Sequence, residues 1–215
     1  MRLFEIKPDK YAILGDIRKN CSKILNLYKQ ANRVFYRGVE EMGEQPLKFH
    51  PKENRYTEKE PSIHYLLIDK WLESHGFKAL RRNSSFMTGD VGFAADFGDP
   101  AVCFPYDGGN YTWSTEIRDY VDFSGPYSVH RDLYWAGKDK AENIFTLERL
   151  QQQKPKEYEA SVKMVDVEMK KSDFHNEFPS VAILKSGNEV LFRGHYWVVP
   201  RTYPGLKELL GRIPY

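Results

Sequence analysis

Three short segments constrain this chain more than anything else in it: Val34-Phe35-Tyr36-Arg37-Gly38, Arg82-Asn83-Ser84-Ser85-Phe86-Met87-Thr88, and Glu189-Val190-Leu191-Phe192-Arg193-Gly194-His195-Tyr196-Trp197-Val198-Val199. Each sets polar residues among β-branched and aromatic neighbours, the residue types that suit a pleated, half-buried strand. Arg37, Ser84, Ser85 and Glu189 are therefore expected on or beside strands of one core, where packing holds a side chain better than a loop does.

Between these segments the hydrophobic period changes. Ile17, Cys21, Ile24, Leu25, Tyr28 and Ala31 follow an i, i+4, i+7, i+8, i+11, i+14 stripe, which predicts an amphipathic helix over 16–31. Residues 40–60 turn polar, with Gly43, Pro46 and Pro51, and read as a loop or insertion. Pro61-Ser62 opens a second helix with Ile63, Leu66, Leu67 and Trp71 on its apolar face, and Gly76 stands where a C-terminal cap would end it. Strand signals cover 77–86 and 101–106, separated by a Gly89-Asp90 turn and a short helix-like stretch through Ala94, Ala95 and Phe97. Tyr111 to Ser114 follows Gly108-Gly109, and Gly125-Pro126 precedes a helical region over 138–153. Residues 158–169 alternate loosely, as a half-buried strand would. Ser180 to Lys185, Glu189 to Phe192, a turn at Arg193-Gly194, Tyr196 to Arg201 and a short helix through Leu206, Leu209 and Leu210 close the chain. Helices gather early and strands recur to the end without βαβ alternation, so an α+β fold with largely antiparallel sheets is expected.

With 215 residues, 41% hydrophobic and 14% aromatic, the chain can fill the core of a single domain. Its 32 basic and 30 acidic side chains nearly cancel, which removes the electrostatic case for a dedicated nucleic-acid binder. Cys21 and Cys103 read as buried small hydrophobes rather than a disulfide framework. The N-terminus lacks the apolar stretch of a signal peptide, and no long apolar run occurs elsewhere. A soluble, cytoplasmic protein with no membrane partner is expected. The histidines form no i, i+4 pair and match no ligand spacing, so no metal is expected. The absence of Gly-x-Gly-x-x-Gly, P-loop and Gly-x-Ser-x-Gly patterns counts against a Rossmann dehydrogenase, a P-loop enzyme and an α/β-hydrolase.

A guanidinium on a rigid strand can grip a pyrophosphate bidentately, which suits Arg37; the alternative is a strand-end arginine in a surface ion pair. A carboxylate heading so apolar a hairpin is out of place in a core, which singles out Glu189; the alternative is an edge-strand glutamate facing water. A serine hydroxyl both donates and accepts, so Ser84 or Ser85 can orient other groups.

The order arginine, serine, glutamate resembles the mono-ADP-ribosyltransferases of the arginine-serine-glutamate class, small bacteriophage-encoded members among them, over most of 16–201. The resemblance implies two packed, largely antiparallel sheets with flanking helices. It also implies NAD as substrate and transfer of ADP-ribose to a macromolecular acceptor, a protein or nucleic acid of a host cell, with release of nicotinamide. Arg37 would then fix the phosphates or ribose of NAD, and Gly38 would let the nicotinamide amide approach the backbone. Ser84 or Ser85 would orient the ribose. Glu189 would bond the ribose 2′-hydroxyl and stabilise the oxocarbenium-like charge that develops as nicotinamide leaves. Tyr36, Phe86 and Thr88 complete the expected NAD-contacting set, with Tyr111 and Trp113 as further aromatic candidates.

Two departures from the family pattern stand out. Its Ser-Thr-Ser type motif reads Ser-Ser-Phe here. The second acid that arginine-modifying members carry two residues before the glutamate is Gly187, which disfavours arginine as acceptor. Other readings are a non-catalytic phage structural or host-interaction module on the same fold, an NAD glycohydrolase, and an RNA 2′-phosphotransferase. The last needs several basic residues converging on two phosphates, and only Arg37 is clear. Residues 40–60 are placed to act either as a lid over bound NAD or as a passive insertion.

Overall fold

The computed structural model describes residues 9–53, 63–119 and 147–215. The expected Gly125-Pro126 breaker, residues 54–60 of the polar segment and residues 138–146 of the expected helix lie outside them.

The chain begins with α1 (Lys10–Asn20) and α2 (Ser22–Ala31). The single helix expected over 16–31 is broken at Cys21, whose backbone is non-helical (φ −123°, ψ 33°) and whose thiol donates to the Phe104 carbonyl at 3.3 Å. Asp107 restarts the helix from a distance, accepting from the amides of Ser22 (3.1 Å) and Lys23 (3.0 Å). The apolar stripe is buried as its spacing requires.

Among the described residues there are eight strands: β1 (Tyr36–Val39), β2 (Leu47–Phe49), β3 (Ser85–Thr88), β4 (Asp99–Pro105), β5 (Asn110–Ser114), β6 (Phe174–His175), β7 (Glu189–Arg193) and β8 (Tyr196–Pro200). They form one antiparallel sheet in the order β2-β8-β4-β1-β3-β7-β5-β6, where two sheets were expected. Its middle is narrow. β1 and β3 share a single paired position, Tyr36 with Thr88, whereas β1 pairs with β4, and β3 with β7, over four positions each. Both halves feed one core, with Val102, Phe104 and Val198 from one side and Met87, Val190 and Phe192 from the other. Ser85 Oγ and Tyr196 Oη, three strands apart in the order, lie 2.7 Å apart in a hydrogen bond, so the sheet curls around that core.

Three local expectations are corrected. Within 40–60, Leu47–Phe49 is not loop but the edge strand β2, paired to β8. Over 77–86 the chain makes a single 3-10 turn at Arg81–Asn83 before β3. There Asp69 accepts from the amides of Arg81 (2.8 Å) and Arg82 (3.1 Å), and Asn83 Oδ1 accepts from the Leu80 amide (2.8 Å), so side chains replace a ladder. Residues 158–169 belong to a helix, α6 (Pro155–Lys171), preceded by α5 (Leu147–Gln153). Its buried residues Tyr158, Ser161, Val165 and Met169 are spaced three, four and four, a helical stripe that loose alternation imitated. The segment after α6 holds α7 (Val181–Ser186), capped by Ser180 Oγ accepting from the Ile183 amide at 3.4 Å.

α3 (Ile63–Ser74) ends at Gly76, in the left-handed region at φ 83°, as the sequence predicts. Its buried Leu67, Ile68 and Leu72 pack with Leu150 of α5 and Tyr158, Val165 and Met169 of α6 into a second, smaller core. α4 (Val91–Ala95) lies against β1, and α8 (Gly205–Leu210) closes the chain beside α1 and α2. Among the described residues no helix is long and apolar enough to cross a membrane.

Candidate functional site

A cleft of about 650 Å³ opens where the two halves of the sheet meet, within the usual size range of small-molecule sites. Arg37 and Gly38 of β1, Phe86 and Thr88 of β3 and Glu189 at the head of β7 line it. Residues distant in sequence are thus brought together because β1, β3 and β7 are neighbours in the sheet. Leu47 and Phe49 of the polar segment, with Phe93 of α4 and Phe97 just after it, add apolar wall.

Glu189 is 5% exposed. Its amide donates to the Arg118 carbonyl at 2.9 Å, and it stands directly across from Thr88. The preceding Asn188 is anchored through Nδ2 to the carbonyls of Ser114 (3.1 Å) and Thr115 (2.9 Å). Thr88 is buried; its hydroxyl donates to the Gly187 carbonyl at 2.6 Å and accepts from the Asp90 amide at 3.1 Å. The backbone that carries Glu189 is thus anchored on both sides, which fixes where its side chain enters the cleft. Gly187 lies in the left-handed region at φ 78°, and a Cβ there would meet Asp90 Cβ at 3.1 Å. An acid at that position would be strained and crowded, so its absence has a backbone cause.

Gly38 is explained by packing. A Cβ on it would overlap the Ala94 carbonyl oxygen and lie 2.7 Å from the Phe97 carbonyl carbon. α4 therefore rests on β1 only because residue 38 has no side chain. Asp90 caps that helix, accepting from the amides of Gly92 (2.9 Å) and Phe93 (3.2 Å) and pairing with Arg118 at 2.9 Å. The Phe93 amide first, then Gly92 and Arg118, hold its carboxyl below the usual range against a raising contribution from burial.

Ser84 and Ser85 do not line the cleft. Phe86, Met87 and Thr88 of β3 reach it, while buried Ser85 turns to Tyr196. Ser84, fully buried, bonds Asn83 Oδ1 at 3.1 Å. Tyr36 touches the cleft but is mostly core; burial raises its pKa against the opposing charges of Arg201 and Arg33. Tyr111 and Trp113 are core residues outside the cleft. Cys21 and Cys103 are buried and unbridged, and burial pushes the Cys103 thiol up to about 12 although the Arg37 charge opposes it, so neither is a ready nucleophile. Among the described residues no group of three or more His, Cys, Asp or Glu is placed to hold a metal ion.

One terminal nitrogen of Arg37, Nη1, is buried without a hydrogen-bond partner, and the same holds for Nη1 of Arg81, which lines the same cleft. Leaving a buried donor unmatched costs about 1–3 kcal/mol, more on a charged group, so native structures rarely retain one without a use. The sequence reading missed Arg81. It stands three residues before Ser84 and nothing in the local pattern separates it from Arg82, which is taken up by Glu73 at 2.7 Å. No known protein-family model, curated protein or solved structure gives a significant match to the chain.

Proposed function

We propose that this cleft binds NAD and that the protein transfers ADP-ribose from it to a macromolecular acceptor. The observation that carries the reading is the convergence of Arg37, Thr88 and a buried Glu189 in one cleft of ligand size. In the reaction the bond between the ribose anomeric carbon and nicotinamide nitrogen breaks, and nicotinamide leaves with the bonding pair. The acceptor nucleophile forms the new bond to that carbon and loses its proton. Glu189 places fixed negative charge beside the positive charge that develops on the ribose, and the Arg37 guanidinium holds the phosphates. Thr88 takes the place that the resemblance gives to a serine, tying the lead-in of Glu189 in position. The left-handed Gly187 supports an acceptor other than arginine. The phage origin and the host-derived acceptor rest on resemblance alone.

The test is incubation of the purified protein with labelled NAD and a cell lysate, followed by separation of protein from nucleic acid. Label on one fraction with release of nicotinamide is expected, reduced at least ~100-fold by Glu189→Gln, the usual loss for a pre-oriented charged group. Nicotinamide release without label on either fraction would make the protein a glycohydrolase. Neither label nor nicotinamide would leave a binding module.

A further inference from the structure

Arg81 holds a position no motif assigns it. Asp69 spends its oxygens on the backbone amides of Arg81 and Arg82 and lies 3.8 Å from the Arg82 guanidinium. The Arg81 guanidinium lies over two rings, 4.0 Å from the centroid of Tyr65 and 4.9 Å from that of Phe86. Stacking fixes the plane of the fork but uses none of its N–H groups. With Arg37, the cleft thus contains two guanidiniums, each with a buried and unmatched donor. The third buried polar atom without a partner among the described residues, Thr112 Oγ1, does not line the cleft.

From this pairing we infer that the cleft is built for a ligand with two linked phosphates, one held by Arg37 and the other by Arg81. One guanidinium suffices for a single phosphate; a second, separately stacked and also unsatisfied, calls for a second anion. The aromatic wall of Phe86, Phe93 and Phe97 suits the attached base. The inference deepens the NAD reading, yet it stands on the two donors and not on the chemistry at Glu189.

Calorimetric titration of wild type, Arg81→Lys and Arg81→Met with NAD, ADP-ribose and nicotinamide mononucleotide tests it, with circular dichroism confirming that each variant is folded. The expected result is a tenfold or greater loss for NAD and ADP-ribose in Arg81→Met. Arg81→Lys should lie in between, because lysine keeps the charge but not the fork. Loss for the mononucleotide, with its single phosphate, should stay within threefold. Equal losses for all three ligands, or no loss for any, would overturn the role of Arg81 while leaving NAD binding intact. Failure of wild type to bind either two-phosphate ligand would also overturn it. If ADP-ribose binds with the expected dependence on Arg81 and NAD does not bind, the two-phosphate site stands and the NAD reading falls.

Discussion

Single residues divide into those whose role their chemistry announces and those whose role depends on where they point. Glu189 and Arg37 are of the first kind, since a carboxylate and a guanidinium inside apolar strand segments are anomalous before any fold is known. Ser84 and Ser85 are of the second, because a bond from Ser84 to Asn83 and a long-range bond between Ser85 and Tyr196 decide their direction. Ser85→Ala is therefore expected to retain NAD turnover within about threefold. Tyr196→Phe should destabilise the fold by about 1 kcal/mol, and the double variant should lose less than the sum of the singles. Denaturant titration of the three variants, with nicotinamide release as the activity readout, checks both statements; a large activity loss in Ser85→Ala would return that serine to the site. Arg37→Lys should weaken NAD binding about tenfold while keeping the charge, because the planar fork is lost. Unchanged affinity in calorimetry would remove Arg37 from the binding wall. Arg81 was illegible because its partners, Tyr65 and Phe86, meet it only in three dimensions.

At the level of elements, periodicity located helices and strands well where one face is buried and poorly where side chains interrupt the backbone pattern. The helix over 16–31 has the predicted face, but Asp107, 85 residues from Ser22, decides where it breaks. α6 was mistaken for a strand because its polar residues are dense enough to mimic alternation, while its buried set keeps helical spacing. The contact of α4 with β1 gives the sharpest element-scale expectation. Gly38→Ala should cost about 1–3 kcal/mol through overlap with the helix backbone and weaken NAD binding by displacing the cleft wall. Thermal unfolding and calorimetry would show both effects, and a wild-type melting temperature would mean that α4 does not rest there. Gly187→Glu, which introduces the second acid of the arginine-modifying transferases that the chain resembles, should destabilise by at least ~1 kcal/mol from the left-handed backbone and create no arginine-directed transfer. Arginine-linked product in a model-acceptor assay would contradict the acceptor argument.

Across the whole molecule, a sheet that curls around its own core brings distant polar groups together, and acid sensitivity follows from two of them. Asp16 experiences a raising effect from burial, the largest single influence, but hydrogen bonds from Tyr106, Trp197 and Asn20 and the Lys48 charge together hold its carboxyl below the usual range. Asp90 is also depressed. A carboxyl depressed in the folded state stabilises fully above its unfolded pKa and loses that contribution as pH falls through the folded value. Melting temperature should therefore drop below about pH 4, and less steeply in Asp16→Asn and Asp90→Asn. Buried Asp69 has the opposite sign, since burial raises its pKa and its contribution declines as pH rises through the folded value. Identical pH profiles for wild type and both variants would show that neither carboxyl carries the effect. The α+β class, the strand content, the anomalous Arg37 and Glu189 and the cap at Gly76 follow from the sequence alone, because propensity, period and turn chemistry act within a few residues of one another. Whether there would be one sheet or two, which side of β3 faces the cleft, why residues 38 and 187 must be glycine and that Arg81 joins Arg37 were decided only by tertiary structure. Each depends on atoms that the chain brings into contact from positions tens of residues apart, and no local pattern encodes that distance.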